Sequence, residues 1–422
     1  MPRREIEGDW VMGWPDRKRY RLAPSKDQEG RTIHARTPFL ELEGLITPTD
    51  AYYIVAQLQM PEPLHPDDYS FEIFGEVENP MTYTLEDLRK LPGHTVRAVT
   101  ECAGDDTEFW DYLESREKGG NIPKPSRHVR EEVEGADWHG MADSGNLDMR
   151  ELDALIPATC IVSGGEWTGT RLSEVLGRAG VKNSAVAIRV EGFDMGRPDP
   201  TIQYRSVGRT NFEIHDPGVI NYDKGLPIEK AMDPETILAW AHNGEYMTHV
   251  HGAPVRMVVP GWAGNWWVKW IHKIEVMDHM PDCYHQTHYF VSGTGPDDPN
   301  KEMMTALGVK TVITEPLEEE SPLPKGSYAI RGLAWSGEGA IVEVEVSTDN
   351  GETWSDAHIE EHADRFLWRR WSYLWEATSG HHTLMARGTD EKGRKQPVTE
   401  LSLIHISEPT RRTPISYAVF CL

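Results

Sequence analysis

Apolar and polar positions begin to alternate clearly near Tyr69. FEIFGEV (71–77) has the period of a strand, and GEVENP behind it reads as a turn. Thr84 precedes LEDLRKL, with Glu86 and Asp87 in the first turn, which predicts an N-capped helix. HTVRAVTEC (94–102) is a β-branched strand that delivers Cys102 at its end. Residues 103 to about 150 carry many charges and glycines, with Trp110 and Trp138. They read as a long irregular excursion, of the kind usually functional or mobile. TGTRLSEVLGRAGV (168–181) predicts an amphipathic helix closed by Gly180, and SAVAIRVEGFD a strand ending in Asp194. Residues 226–276 alternate helix, loop and strand without clean βαβ units.

The texture changes near residue 310. VKTVITEP, GSYAIRGLAW, GAIVEVEVSTDNGETW, RFLWRRWSYLWEA and GHHTLMARGTDEKG are short alternating strands separated by turns, the signature of an antiparallel β-sandwich. The predicted class is α+β: a mixed α/β domain followed by an immunoglobulin-like β-sandwich. The organisation is an extended arm at 1–45, a larger domain at 46–308 and the sandwich at 309–400. Residues 401–422 break the pattern and resemble the conceptual translation of sequencing-adapter DNA, so they are read as a non-native tail.

Composition narrows the function classes. The 422 residues carry 43 Lys+Arg against 68 Asp+Glu, a net charge of -25. Nucleic acid and anionic lipid are not expected as bulk-charge partners, although such a surface could steer a basic protein. No run approaches the ~18 apolar residues of a membrane span. The opening MPRREIEGDWVMGW has no apolar region that would mark a signal peptide. The chain is expected to be soluble, and cytoplasmic unless an export signal is missing, in which case periplasmic. Four cysteines without a CxxC pair exclude a disulfide scaffold.

Two stretches carry chemistry. VTECAGDD presents Cys102 at a strand end, where a thiol serves as nucleophile, soft-metal ligand or simple core residue. HGAPVRMVVPGWAGNWWVKW (251–270) joins a histidine, Arg256, a glycine-rich bend and Lys269, a composition suited to an anion such as phosphate. Neither GxGxxG nor GxxxxGK[ST] occurs there, so no nucleotide loop is supported.

With EWTG, VEGFD, EKAMDPETILAWAHNGE and VKWI between and around them, these stretches in this order resemble the sulfite oxidase family of molybdenum enzymes. TEP, GLAWSG and VEVSTDNGETW resemble that family's C-terminal dimerisation domain. The resemblance runs from about residue 32 to about residue 398. It implies one molybdenum–molybdopterin cofactor per chain, with Cys102 as the molybdenum ligand. Asp194, His251, Arg256, Trp267, Val268 and Lys269 match positions that hold the pterin and its phosphate. Trp167 matches a tryptophan of the substrate pocket, and Tyr289 the active-site tyrosine. The implied activity is oxygen-atom transfer, foremost oxidation of sulfite to sulfate, by a homodimer.

Two features depart from the pattern. An arginine usual before the first strand is replaced at Ala56 or Gln57. A second substrate arginine is expected beyond Gln396 and Pro397, where the divergent tail begins. Arg205, Arg209 and His288 are candidate replacement cations for a small oxyanion or S-oxide substrate. Neither CxxCH nor HPGG occurs, so no heme is expected in this chain, and electrons would pass to an external acceptor such as cytochrome c. Competing readings are an S- or N-oxide reductase of the methionine-sulfoxide type, a non-catalytic binding protein, and a zinc site at His279, Cys283, His285 and His288.

Overall fold

Short strands with few helices follow from a sequence rich in β-branched alternation and glycine-marked turns. The computed structural model describes residues 25–26, 32–35, 37, 42, 44–103, 161–198, 216–289, 291–292, 302–316, 323–396 and 416–421. It divides into two compact units, Met1–Val96 with Thr100–Thr305, and Arg97–Val99 with Ala306–Leu422. The excursion predicted after residue 103, and Arg205 and Arg209, lie outside the described residues.

In the first unit, β1 (Ser25–Lys26), β2 (Thr32–Ala35) and β3 (Ile54–Val55) form a small sheet. Then come β4 (Ser70–Gly75), β5 (Met81–Thr84), β6 (Gly93–Glu101), β7 (Val162–Arg171), β8 (Ala187–Gly196) and β9 (Ile220–Pro227). They are followed by β10 (Ile237–His242), β11 (Glu245–Tyr246), β12 (Arg256–Val258) and β13 (Ile271–Met277). One five-stranded sheet has the order β5-β4-β13-β8-β9. The other runs β11-β10-β7-β6, with β12 paired to β10. The β4–β13 pair is parallel and joins residues some two hundred positions apart, such as Ile73 and Ile274. A further pair, β14 (Val291–Ser292) and β15 (Glu302–Met303), completes the unit.

Helix α1 (Leu85–Arg89) opens with the capping box its sequence predicts. The Asp87 amide donates to Thr84 Oγ1 at 3.1 Å, and the Thr84 amide donates to Asp87 Oδ2 at 3.1 Å. Helix α2 (Leu172–Ala179) is shorter than the predicted 168–181. Residues 168–171 instead finish β7, where Thr168, Gly169, Thr170 and Arg171 pair with β10. The β-branched threonines and the ladder outweigh local helix preference there. Helix α3 (Ile228–Ala231) is a single turn.

The second unit is all β. Its strands are β16 (Lys310–Glu315), β17 (Gly326–Trp335), β18 (Ile341–Ser347), β19 (Ser355–Asp356), β20 (His358–Ile359), β21 (Arg369–Ala377), β22 (His381–Asp390) and β23 (Ser416–Cys421). Two four-stranded sheets, β16-β17-β21-β20 and β19-β18-β22-β23, enclose a core that includes Ile330, Val344, Trp371 and Leu384. Strand β23 lies in the stretch set apart by its sequence, and its backbone pairs with β22 from His381 to Ala386.

Candidate active site

Two cationic side chains are driven into the interior of the first unit by the fold of residues 249–270. Gly252 takes φ of 110°, a turn that lets the chain double back, and Trp270 is held in the left-handed region at φ of 50°. Between them, Arg256 is buried and donates from Nη1 to the His251 carbonyl and from Nη2 to the Trp267 carbonyl, each at 2.9 Å. Lys269 Nζ donates to the carbonyls of Val55 (3.0 Å) and Val250 (3.2 Å) and lies 4.1 Å from the Trp270 ring centre. The side chains therefore grip main chain on one side while their charges face a cavity.

That cavity lies within the first unit. Its walls include Cys102 from the end of β6, Asp194 from β8, Arg256 from β12, and His251, Trp267 and Lys269 from the loops around β12. Six residues singled out in the sequence thus meet in one space. Val268 is buried between two of them, and its carbonyl accepts from the Met257 amide. Trp167 is fully buried and not on the cavity wall. It backs the site instead, stacked on His242 (4.0 Å, 15°) and lying 4.7 Å from the Arg256 guanidinium carbon. Tyr289 ends the π-helical turn His285–Tyr289.

Ala56 and Gln57 do line the cavity, so the position of the missing arginine faces the site without a charge. His288 is not on that wall; it stacks on Tyr284. The zinc reading fails to assemble, since His279 is exposed while Cys283 is buried. Among the described residues no group of three His, Cys, Asp or Glu side chains is placed to hold a metal ion.

Burial shapes the electrostatics. It holds His251 neutral, down to about 3, with Arg256 adding to the effect. It lowers Arg256 to about 10, still cationic at neutral pH. Burial raises Asp194 and lowers Lys269, and the charge of each partly offsets the other's shift. Tyr52 is pushed up to about 12 by burial, and its hydroxyl donates to Thr100 Oγ1 at 2.8 Å. Tyr52, Tyr53, Thr100 and Tyr222 all line the cavity. None was singled out in the sequence, because no motif marks them: the sheets bring them in. The segment DAYYIV is the one local hint, an aromatic pair beside the departed arginine.

Five buried polar atoms on this wall have no protein hydrogen-bond partner: Asp194 Oδ1, His251 Nε2, Arg256 Nε, and Asn265 Oδ1 and Nδ2. Buried polar groups are nearly always satisfied, so such a cluster asks for a ligand. A ligand with an anionic end, polar ring edges and a soft metal fits a set of two cations, an acceptor, an imidazole and a thiol. The main chain also leaves room for it. A Cβ on Gly264, another wall residue, would lie 2.3 Å from the Tyr53 hydroxyl, so only glycine permits this approach.

The fold and site define a cofactor-binding oxidoreductase chain. The family model for the oxidoreductase molybdopterin binding domain matches residues 57–148 and 144–285, and that for the Mo-co oxidoreductase dimerisation domain matches residues 301–405. The chain belongs to the sulfite oxidase family of molybdopterin oxidoreductases. It is similar to mitochondrial sulfite oxidase of Mus musculus, 28% identical over 381 residues, covering 86% of this chain and 59% of that protein. It is likewise 28% identical to nitrate reductase [NADH] 1 of Phaseolus vulgaris, covering 85% of this chain and 38% of that protein. Among solved structures it resembles the sulfane dehydrogenase SoxCD from Paracoccus pantotrophus, with a TM-score of 0.66, 28% identity, and coverage of 92% of this chain and 82% of that one. The chain thus spans about three-fifths of the mouse relative's length. Among the described residues no helix is long and apolar enough to cross a membrane.

Proposed function

We propose that this chain catalyses molybdenum-dependent oxygen-atom transfer, oxidising sulfite to sulfate and passing electrons to an external acceptor such as a cytochrome c. The observation that carries the reading is the gathering of Cys102, Asp194, His251, Arg256 and Lys269 around one cavity with five unsatisfied polar atoms. In this reading Cys102 supplies a thiolate to molybdenum, and Arg256 and Lys269 receive the pterin phosphate. His251, held neutral, and Asp194 offer hydrogen bonds to the rest of the pterin, with Trp267 and Val268 shaping its seat. The bound cofactor would supply the two-electron oxygen-atom transfer. Sulfite and water become sulfate, two protons and two electrons, and Tyr289 is assigned the proton handling. Trp167 acts from behind by holding Arg256 in place. The chain is taken as a homodimer through the domain at 309–400, with 46–308 as the catalytic domain.

The uncharged wall at Ala56 and Gln57 favours a second reading, reduction of a neutral S- or N-oxide substrate by the same site. One experiment separates them. The chain is expressed in a host that makes the pterin cofactor, and molybdenum content is measured for wild type and Cys102→Ser. About one metal per chain is expected, with altered metal spectra in the variant. Sulfite-dependent reduction of cytochrome c then supports oxidation. A molybdenum-loaded protein that reduces methionine sulfoxide and ignores sulfite supports the second reading, and wild type without molybdenum removes both.

A further inference from the structure

Strand β9 carries a charged residue that the site chemistry above does not use. Lys224 is fully buried. Its Nζ donates to the His285 carbonyl at 2.6 Å, at the first residue of the π-helical turn that ends in Tyr289. The same ammonium lies 4.9 Å from the Trp266 ring centre and 6.0 Å from that of Tyr222. Trp266 closes the turn Gly264–Trp266, and both Gly264 and Asn265 line the cavity. Tyr222 lines it too, and its hydroxyl donates to the Asn265 carbonyl at 2.7 Å. One step along β9, the Gly225 amide donates to Gln286 Oε1 at 2.7 Å. One buried cation thus touches three segments, two of which supply cavity wall.

A buried ammonium is costly unless fully engaged, and an apolar side chain of similar length would fill this space more cheaply. What the cation adds is a charged donor, roughly twice as strong as a neutral one, and attraction to two ring faces. Among the groups around it, the Asp223 carboxylate favours the charged form. Asp223 is drawn to Arg189 at 2.7 Å, while burial holds the Cys283 thiol and the His285 ring uncharged.

We propose that Lys224 is a positioning residue, whose ammonium ties the π-helical turn and the Gly264–Trp266 turn to Tyr222 and so fixes one wall of the cavity. The proposal leans on the functional reading above only for its kinetic readout. Lys224→Met keeps the length of the side chain and removes the charge and donor. In the molybdenum-loaded variant, kcat for sulfite is expected to fall roughly ten- to a hundredfold, with KM within about twofold of wild type. Hydrogen–deuterium exchange of peptides covering 262–266 and 283–289 is expected to rise about tenfold, while β13 keeps its protection. Lys224→Gln, which retains an N–H donor, is expected to recover part of both effects, and it carries the same readouts if the methionine variant does not fold. Wild-type kcat with wild-type exchange in these two segments overturns the proposal, as does a loss of protection spread evenly over the sheets. If the wild type itself leaves sulfite untouched, the functional reading falls and the exchange pattern alone decides the role of Lys224.

Discussion

Arg256 commits both terminal nitrogens to main-chain carbonyls and leaves Nε unsatisfied beside the cavity. A lysine there would keep the charge but could not span the carbonyls of His251 and Trp267. Hydrogen bonds from a charged donor are worth about 1.5–3 kcal/mol each, so Arg256→Lys is expected to lower pterin retention about ten- to a hundredfold. Release of pterin per chain, read by its fluorescence, measures this. Lys224 gives a pH test. Burial brings its folded value down to about 7, below the ~10.4 of an exposed lysine. The cost of the buried charge, on the order of a few kcal/mol, is therefore fully present below pH 7 and fades as pH rises toward 10. Relative to wild type, Lys224→Met is expected to gain most in urea midpoint at pH 6 and least at pH 9. Cys102, His251 and Arg256 were legible because they sit in dense local words. Lys224 and Tyr222 were not, since nothing in YDKG tells that a cation will be enclosed by Trp266 and the His285 carbonyl.

At the scale of elements, alternation located the strands it marked to within a few residues. FEIFGEV, SAVAIRVEGFD and the sandwich strands all appear. The helix at 168–181 was overcalled because its first residues have an amphipathic spacing but are claimed by the ladder to β10. A local pattern cannot reveal that competition. The turn at Gly264–Trp266 is the element most exposed to a single atom. Gly264→Ala would push a methyl group against Tyr53 and the Glu101 carbonyl at 3.2 Å. Overpacking of this kind typically costs about 1–3 kcal/mol. The variant is expected to lower the thermal midpoint and to bind less molybdenum. A variant with unchanged metal content would show that the turn yields freely.

For the whole molecule, a net charge of -25 makes electrostatic guidance of an acceptor testable. With a basic cytochrome c, kcat/KM is expected to fall roughly tenfold as salt rises from about 10 to about 200 mM, since steering is screened over such a range. A neutral small-molecule acceptor should show little of this dependence. Flat salt profiles for both would argue against an acidic docking face.

The parallel pairing of β4 with β13, and a cavity whose walls come from residues far apart in the chain, have a consequence for how the protein is made. The thiol at Cys102 leaves the ribosome well before Arg256 and Lys269 exist. At about 5–20 residues per second the wait is roughly ten to thirty seconds. Throughout that interval β4 lacks its central partner and the pocket lacks both cations. On the proposed site, the nascent chain therefore has its thiol before it has the two cations assigned to the pterin. Acquisition of a cofactor at the proposed site would follow translation through β13, and its supply need not be timed to the start of synthesis.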